Sequence, residues 1–569
     1  MAKGYARGAL QAMPMVRYAI LIMAGILIAD NIEAAARMDV ALTALSIAVG
    51  VAVLAWRRHG LLTSGAVMVG IMAAGAIRYN VMTSGMVREQ METEVEMVVA
   101  SEPREYGKTI QYDAIIIAGG DGMAGHHVHV AELRHAARDT TPGGIGTRVR
   151  AARARVTPIS EVGQTAEGHS GYRRWLMARG ITAELFIPGG TETTDRKTAG
   201  TGTEDMDGLG IADRIRLQAQ IARQDMMRRM AGTQIDDKTL AIAAAMTLGY
   251  KSGLDKKTRE TYSMAGASHI LALSGMHLSI IYMVLTMFSG RGGGWRRWMI
   301  ITIVWAYVVM VGMPVSVVRA AIMLSLHHIA SATGRRQHQL NIIAAAMLII
   351  LMASPAALWD IGFQLSFLAV AGIVLIAPPI IGSMPEALRS MNSPKTVGRH
   401  GRCMRMASTA IGKAGRWLWD IMAVSIAAQV MTAPLVACWF GNIATGFLLT
   451  NIIVIPSATA IIVLTLLLVP TLYITPLSSL TGATGWALGL CAGFMDSAVT
   501  EIASWPWTSI TGVSCNMIQT LMLYIIVGVG ITCIYRHHNL TGTGRYSRTL
   551  SYPSPLPHTW LVLTPYPPT

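Results

Sequence analysis

Residues 268–288, SHILALSGMHLSIIYMVLTMF, join a polar opening to an apolar run that is long enough to cross a membrane. The opening contains His269, Ser274, Gly275 and His277. Polar side chains inside a membrane segment cost free energy, so such a cluster needs a reason beyond anchoring. The stretch therefore indicates a membrane protein with a polar pathway or site among its spans.

The composition of the whole chain agrees with a membrane protein. Of 569 residues, 52% are hydrophobic and 14% are charged, whereas soluble globular proteins carry about 25% charged residues. Water-soluble enzymes, fibrous proteins, disordered chains and disulfide scaffolds are excluded. The five cysteines show no short paired spacing that would indicate a zinc site. A formal net charge of +15 suits an anionic partner, either phospholipid or nucleic acid.

Apolar stretches divide the chain into two membrane regions. Basic residues before the first stretch, and the pair Arg57 and Arg58 after the second, predict a cytoplasmic N-terminus and an uncleaved first span. Pro314, Pro355 and Pro456 interrupt later spans and predict broken or re-entrant helices. The predicted spans are Arg17–Ala29, Val40–Trp56, Leu61–Ile77, Ser268–Phe288, Trp298–Val311, Val315–Ala330, Leu340–Met352, Phe363–Ile381, Ile421–Phe440, Phe447–Val469, Ala487–Val499 and Met517–Tyr535.

A polar region between the two membrane regions predicts an extracytoplasmic β domain. Partial alternation of apolar and polar residues favours strands over Ile110–Ile117, His127–Val130, Thr147–Arg150 and Ile181–Ile187. Gly171–Arg179 favours a helix, which gives a small barrel or sandwich with one helix. The basic amphipathic segment Ile211–Met230 is predicted to lie on a membrane surface.

Two further apolar blocks contain buried polar residues. Val315–Ala320 contains Ser316 and Arg319, and Trp359–Phe367 is predicted to bury Asp360 and Gln364. Arg319 is expected either to contact phosphate or to pair with Asp360 and lock two helices together.

The two histidines of the opening admit more than one reading. His269 and His277 are eight residues apart and could share one helix face, where hydrogen bonding between helices is favoured over metal binding because a third ligand is missing. Ser274 and Gly275 favour close helix packing.

Taken in order, these motifs resemble the ComEC competence-protein family. The resemblance covers most of the chain. It rests on Lys251–Asp255, Ala267–His277, Tyr172–Ile181, Thr333–Arg335, Pro355, Gly362–Phe367, Gln429, Pro434, Phe440–Gly441, Asn451 and Pro456. It implies an inner-membrane channel that passes single-stranded DNA into the cytoplasm during natural transformation. It also implies that the outer domain is OB-like.

The resemblance and the residues together predict a polytopic α-helical membrane protein with broken or re-entrant helices and an extracytoplasmic OB-like β domain. The expected parts are N-terminal transmembrane helices in 1–80, the OB-like domain in 81–210, amphipathic or interfacial helices in 211–260, a competence-type channel domain in 261–540 and a cytoplasmic Pro-rich tail in 541–569.

The sequence predicts a form of the family without enzymatic activity. Many family members carry a C-terminal metallo-β-lactamase-like domain, whose His-x-His-x-Asp-His string does not follow the last predicted span here. A P-loop string is also missing from the sequence. We therefore expect no catalytic residue, metal or cofactor. The implied partners are single-stranded DNA, membrane lipid, a cytoplasmic DNA motor or helicase, external DNA-receptor or pilus components, and a separate nuclease.

The outer domain offers a second predicted DNA contact. OB folds bind single strands with a basic groove and aromatic stacking. The predicted DNA-binding residues are Arg148, Arg150, Arg153, Arg155, Tyr172 and Trp175. A solvated basic surface attracted to anionic lipid is the alternative for these side chains.

Two other functions remain open from the sequence. His277, Arg319 and Asp360 could serve a membrane-embedded hydrolase or small-solute transporter as a proton relay or hydrolytic site. The chain could also be a DNA-binding assembly scaffold. A continuous basic path favours the channel, whereas a closed polar pocket favours the enzyme or transporter.

Overall fold

The computed structural model divides the chain into two compact units. One comprises Met1–Asp225, Val309–Gly312 and Ala344–Gln364, and the other comprises Met226–Val308, Met313–Ile343 and Leu365–Thr569. The structure describes residues 13–32, 37–55, 60–87, 89–120, 122–133, 144–159, 170–188, 192–193, 208–233, 235–289, 294–332, 338–385 and 402–540. The tail after 540 and the motif Thr333–Arg335 lie outside these residues.

The first unit contains a β-barrel. Its seven strands form one sheet, and the pairing of β1 with β5 closes five of them into a ring in the order β1-β3-β4-β6-β5. The strands are β1 Met91–Val99, β2 Arg104–Tyr106, β3 Thr109–Ala118, β4 His127–Leu133, β5 Arg148–Pro158, β6 Ala183–Ile187 and β7 Glu192–Thr193.

The pairing pattern makes this barrel OB-like. All five ring contacts are antiparallel except that between β4 and β6. Alternate residues, among them Val95, Tyr112 and Val130, fill the apolar interior. The four strands predicted from the sequence are confirmed, although the last begins at Ala183, and the predicted helix is α4, Ser170–Ala178. The predicted fold class is confirmed.

Helix α5, Ile211–Ala231, packs its apolar side on the barrel rather than presenting all of it to a membrane surface. Leu217 and Ile221 join Val98 and Ile115 in a second apolar cluster. The prediction that this segment lies on a membrane surface is corrected to that extent, because the barrel already covers these side chains.

Three helices precede the barrel: α1 Pro14–Asn31, α2 Arg37–Ala55 and α3 Gly60–Ser84. Arg78 on α3 donates hydrogen bonds of 2.7 and 2.8 Å to the carbonyls of Met352 and Ala353. These carbonyls end helix α11, Gln339–Ala353, so a cation satisfies acceptors that the helix cannot use itself.

The remaining helices are mostly apolar in sequence, except for the charged helix Lys256–Met264. They are α6 Asp237–Leu248, α7 Lys256–Met264, α8 Gly275–Ser289, α9 Gly294–Met310, α10 Val315–Ala332, α12 Ile361–Gly382, α13 Arg402–Phe440, α14 Phe447–Tyr473, α15 Thr481–Ser504 and α16 Met517–Leu540. Short strands β8 Asn442–Ala444 and β9 Ser509–Thr511 pair antiparallel in the second unit.

Within the described residues, seven helices are long and apolar enough to cross a membrane. They are Pro14–Asn31, Leu62–Ser84, Val315–Ala332, Ile361–Gly382, Ala410–Phe440, Phe447–Tyr473 and Met517–Arg536. The chain is thus a multi-pass membrane protein. Only 6% of the most apolar 18-residue stretch of α16 is buried, so most of this helix is exposed in the described part of the chain.

One expectation about the proline residues is wrong. Pro456 does not interrupt its span, because it lies inside the continuous helix α14, whereas Pro314 directly precedes α10 and Pro355 opens a short 3-10 helix, Pro355–Trp359. In helix α6 every residue from Thr239 to Leu248 is buried, and the interfacial position of the helices in 211–260 stays a prediction.

Candidate functional site

The polar opening of residues 268–288 forms a turn and then a helix start. Gly266 adopts a φ of +79°, and a Cβ there would lie 2.9 Å from the Cβ of Ala444, so glycine is required. The chain then turns through residues 267–274, and α8 begins at Gly275. The prediction that His269 and His277 share one helix face is therefore wrong, because His269 precedes the helix.

His277 satisfies the first backbone donor of α8. The backbone N–H of Ser274 donates to Nδ1 of His277 at 3.1 Å, which is one half of a capping box. Because Nδ1 accepts this bond, the proton of the neutral imidazole is on Nε2. The side chain is buried, and its Nε2 has no hydrogen-bond partner among the described residues.

Arg319 lies against the same helix start. A Cβ on Gly275 would be 3.2 Å from Nη2 of Arg319, which shows how closely the guanidinium approaches this backbone. Ser316, one turn earlier on α10, donates to the carbonyl of Leu273 at 2.7 Å and joins the two helices. The Phe367 ring lies 5.5 Å from Cζ of Arg319.

This arrangement has the electrostatics of an anion site. Arg319 is only 6% exposed, and its Nε and Nη1 have no hydrogen-bond partner among the described residues. The Ser274 hydroxyl is likewise unpartnered there. A guanidinium is repelled by the positive end of a helix dipole, so this arrangement is unfavourable unless an anion binds between the two. Phosphate and carboxylate groups bind at such helix starts.

Asp360 and Gln364 have local structural roles. They are half-buried rather than buried, which corrects the prediction from the sequence. The Oδ1 atom of Asp360 accepts a 2.7 Å hydrogen bond from the backbone N–H of Phe363 and so caps the start of α12. The Gln364 amide donates to the carbonyl of Leu358 at 2.9 Å.

On the barrel, three predicted DNA-binding arginines face a row of glutamates on β1. Arg148 pairs with Glu96 at 2.6 Å, Arg155 pairs with Glu92 at 3.0 Å, and Arg150 pairs with Glu94. Arg153 is also exposed on β5. Arg150 lowers the pKa of the Glu94 carboxyl. This strip is therefore close to charge-balanced rather than strongly basic.

The alternation Glu92, Glu94, Glu96 is a strand signal that the sequence analysis missed. Apolar Val95 and Met97 fill the other face of β1, so the segment shows the period of two expected of a half-buried strand.

Tyr172 and Trp175 contact each other and the barrel wall. Their rings stack with centroids 5.7 Å apart, and the guanidinium of Arg179 lies 4.7 Å from the Trp175 ring. The Tyr172 hydroxyl donates to Glu184 on β6 at 3.2 Å, and burial first, then Glu184, raises the Tyr172 pKa. The Trp175 ring meets the edge of His129 on β4.

Helix α4 therefore covers the outward face of this part of the barrel. Asp113 on β3 extends the contact, accepting a hydrogen bond of 2.7 Å from Arg179. Bases could stack only on the parts of the two rings that these contacts leave open.

Within the described residues, no group of three or more His, Cys, Asp or Glu side chains is placed to hold a metal ion.

Fold and site together define a multi-pass membrane protein with an OB-like domain and a buried, donor-lined helix start. A family model described as Competence protein matches residues 246–537, more than half of the chain. The chain belongs to the Competence protein family.

One curated relative is similar over a shorter part of the chain. It is ComE operon protein 3 of Bacillus subtilis (strain 168), which is 28% identical over 163 residues, or 28% of this chain and 21% of the relative. The matched part is thus about a fifth of that relative's length. No solved structure matches.

Proposed function

We propose that this chain passes single-stranded DNA across the bacterial inner membrane into the cytoplasm during natural transformation. Its N-terminus lies in the cytoplasm in this proposal. Family membership supports a role in DNA uptake. The observation that carries the proposal is the buried Arg319, whose Nε and Nη1 are unpartnered among the described residues, at the start of α8.

Arg319 supplies the contact to the DNA backbone. A phosphodiester carries one negative charge, and hydrocarbon cannot stabilise that charge unless donors replace water. The guanidinium offers a planar fork of donors that matches phosphate oxygens. The first N–H groups of α8, the Ser274 hydroxyl and Nε2 of His277 lie at the same helix start and add neutral donors. Because a phosphate contact does not read base edges, the proposed contact is independent of DNA sequence.

The OB-like domain contributes a weaker contact in this proposal. Phosphates must displace Glu92, Glu94 and Glu96 from their arginines before Arg148, Arg150 and Arg155 can bind DNA. Arg153 adds a cation without such an exchange, and the open parts of the Tyr172 and Trp175 rings add stacking. Binding by this domain is expected to be weak and strongly dependent on salt.

A hydrolase or solute transporter built from His277, Arg319 and Asp360 is less well supported. The Asp360 carboxylate already caps α12 through Phe363. In the channel proposal no side chain is catalytic. A cytoplasmic DNA motor or helicase supplies the energy, external receptor or pilus components deliver the DNA, and a separate nuclease removes the other strand.

The first test follows labelled DNA into the cytosol of host cells that lack the gene and carry wild-type, Arg319→Ala or Arg319→Lys protein. We expect the deletion and Arg319→Ala to abolish uptake and Arg319→Lys to retain part of it, because lysine keeps the charge but loses the fork. Arg216→Ala, at an exposed arginine on α5, is the matched control. The amount of each protein in the membrane is measured. Undiminished cytosolic uptake in the deletion strain contradicts the channel.

A binding experiment separates the phosphate contact from transport. The full chain in detergent is titrated with a labelled single-stranded oligonucleotide at several salt concentrations. Loss of one phosphate contact lowers the slope of log affinity against log salt by about 0.7. An Arg319→Ala variant with the wild-type slope contradicts the phosphate contact proposed for Arg319. The uptake experiment then tests the channel independently.

A further inference from the structure

Asp420 is a buried acid inside a membrane-length apolar helix. It lies within the Ala410–Phe440 part of α13, and its side chain is 1% exposed. Neither carboxylate oxygen has a hydrogen-bond partner among the described residues. The proposed phosphate contact around Arg319 does not use this side chain.

An apolar cluster lies one helical turn from Asp420. Val424, on the same face of α13, packs against this cluster, which Ile376 and Ala377 of α12 and Ala427 of α13 form. The neighbouring Trp419 donates its indole N–H to the carbonyl of Ile380 at 3.1 Å. These contacts place this part of α13 against the last turns of α12.

No cation in the described part of the chain forms an ion pair with the carboxylate. Arg416, one turn earlier on α13, attracts the carboxylate from a distance, but its side chain is exposed and does not hydrogen bond to Asp420. Lys413 on the same helix is also exposed. Helices α12 and α14 contain no Lys, Arg, His, Asp or Glu. On α16, Arg536 follows Tyr535, whose hydroxyl donates to the carbonyl of Leu375 at 3.0 Å.

We infer that Asp420 is a proton-binding site, which takes up a proton as the neutral carboxylic acid and releases it only when the surroundings of α13 change. An ionised carboxylate without a partner is strongly disfavoured in such a place, whereas the protonated acid is tolerated. A metal ion is a poorer occupant, because hard cations need about six oxygen ligands and, among the described residues, Asp420 belongs to no group of three or more His, Cys, Asp or Glu side chains that could hold a metal. A proton needs only the carboxylate itself.

A lipophilic carbodiimide tests this inference on the full chain in lipid vesicles. Dicyclohexylcarbodiimide reacts with a protonated carboxyl group in an apolar environment. The acid proton moves to a carbodiimide nitrogen while the carboxyl oxygen bonds to the central carbon. The resulting O-acylisourea rearranges to a stable N-acylurea. Nothing leaves, so the labelled peptide gains the whole mass of the reagent.

We expect the label at residue 420 at about pH 7, and a loss of about tenfold per pH unit once the carboxyl is mostly ionised. Asp420→Asn removes the label. Asp496 on α15 is the internal control, because its carboxylate forms an ion pair with Lys238 at 2.6 Å and we expect no label there. Label at residue 420 that falls between about pH 4 and pH 6, as for an ordinary aspartate, contradicts the inference.

A second measurement covers the case in which the reagent cannot reach the site. Because the folded chain holds a proton that the unfolded chain releases, rising pH between about 6 and 9 should lower the stability of the wild type relative to Asp420→Asn. A constant difference over that range overturns the inference. Neither experiment involves DNA, so the result is independent of the proposed channel.

Discussion

Arg174 on α4 donates a 2.9 Å hydrogen bond to the carboxylate of Asp30 at the end of α1. The same carboxylate accepts a 2.6 Å hydrogen bond from the Tyr79 hydroxyl on α3. The Arg174 guanidinium also lies 5.3 Å from the Trp359 ring. Because α4 covers the barrel wall, this one arginine ties the OB-like domain to the N-terminal membrane helices.

Removal of the Asp30 carboxylate should loosen α4. Asp30 is only 10% exposed at its side chain, so Asp30→Asn weakens a charge-assisted hydrogen bond that water replaces poorly. We expect a loss of about 1–3 kcal/mol of local stability. Hydrogen exchange of peptides from 170–178 measures it, with Glu260→Gln as the control at an exposed acid whose ion pair with Lys256 is 3.7 Å long. Equal protection of residues 170–178 in wild type and Asp30→Asn would contradict a stabilising role for the Arg174–Asp30 hydrogen bond.

Neutralising the glutamate row should strengthen DNA binding. The triple change of Glu92, Glu94 and Glu96 to Gln frees Arg148, Arg150 and Arg155 from competing carboxylates. We expect tighter binding of a single-stranded oligonucleotide to the full chain and a steeper dependence on salt. Glu105→Gln, an exposed site on β2, is the control. Unchanged affinity in the triple variant would remove the arginine strip from the DNA path.

The pairing of Glu94 with Arg150 should make the barrel sensitive to acid. Because the folded-state pKa of Glu94 lies below its unfolded value, the pair stabilises the barrel above the unfolded pKa of about 4.3. That contribution is lost as the pH falls through the folded pKa. Protection factors of peptides from β1 and β5, corrected for intrinsic exchange, should fall more in wild type than in Glu94→Gln between about pH 6 and pH 3. Parallel curves contradict this prediction.

A methyl group at Gly275 should displace Arg319. The added Cβ would lie 3.2 Å from Nη2 and 3.3 Å from the Cβ of Ala320, closer than the site accommodates without movement. We expect Gly275→Ala to cost about 1–3 kcal/mol as overpacking and to reduce DNA uptake. Gly489→Ala on α15 is the matched control, because nothing lies within 4 Å of its added Cβ. Full DNA uptake by Gly275→Ala would contradict the prediction that uptake requires the close approach of Arg319 to the Gly275 backbone.

Most of the architecture could be predicted from hydrophobic patterning. Long apolar runs identify the membrane helices, and alternation identified four strands of the barrel, because both signals reflect which face of an element is buried. The start of α8 could not be placed, since apolar Ile270, Leu271 and Leu273 lie between the polar residues before Gly275 and continue the apolar character of the helix. Pro456 gave a misleading break, because neighbouring groups can satisfy the backbone of a helix that contains proline.

The roles of the residues around Arg319 and on the barrel were predicted only in part, because they depend on contacts between residues that are distant in sequence. Burial of Arg319 follows from its apolar neighbours, and the structure places it beside Gly275. The roles of Asp360 and Gln364 depend on helix caps, and those of the arginines on β5 depend on register with β1. Register is a long-range property that one strand does not encode by itself. Asp420 was missed because it directly precedes the predicted span Ile421–Phe440, whereas the apolar helix of the structure begins at Ala410.

Most of α16 is exposed in the described part of the chain. The length of its apolar part therefore determines the hydrocarbon thickness of the bilayer that can surround it. Its apolar part, Met517–Arg536, has 20 residues, which extend about 30 Å as a helix. That length equals the hydrocarbon thickness of an ordinary bilayer. A markedly thicker or thinner bilayer would force this helix to tilt or the lipid to deform. Acyl-chain length is therefore a variable to control whenever the protein is reconstituted.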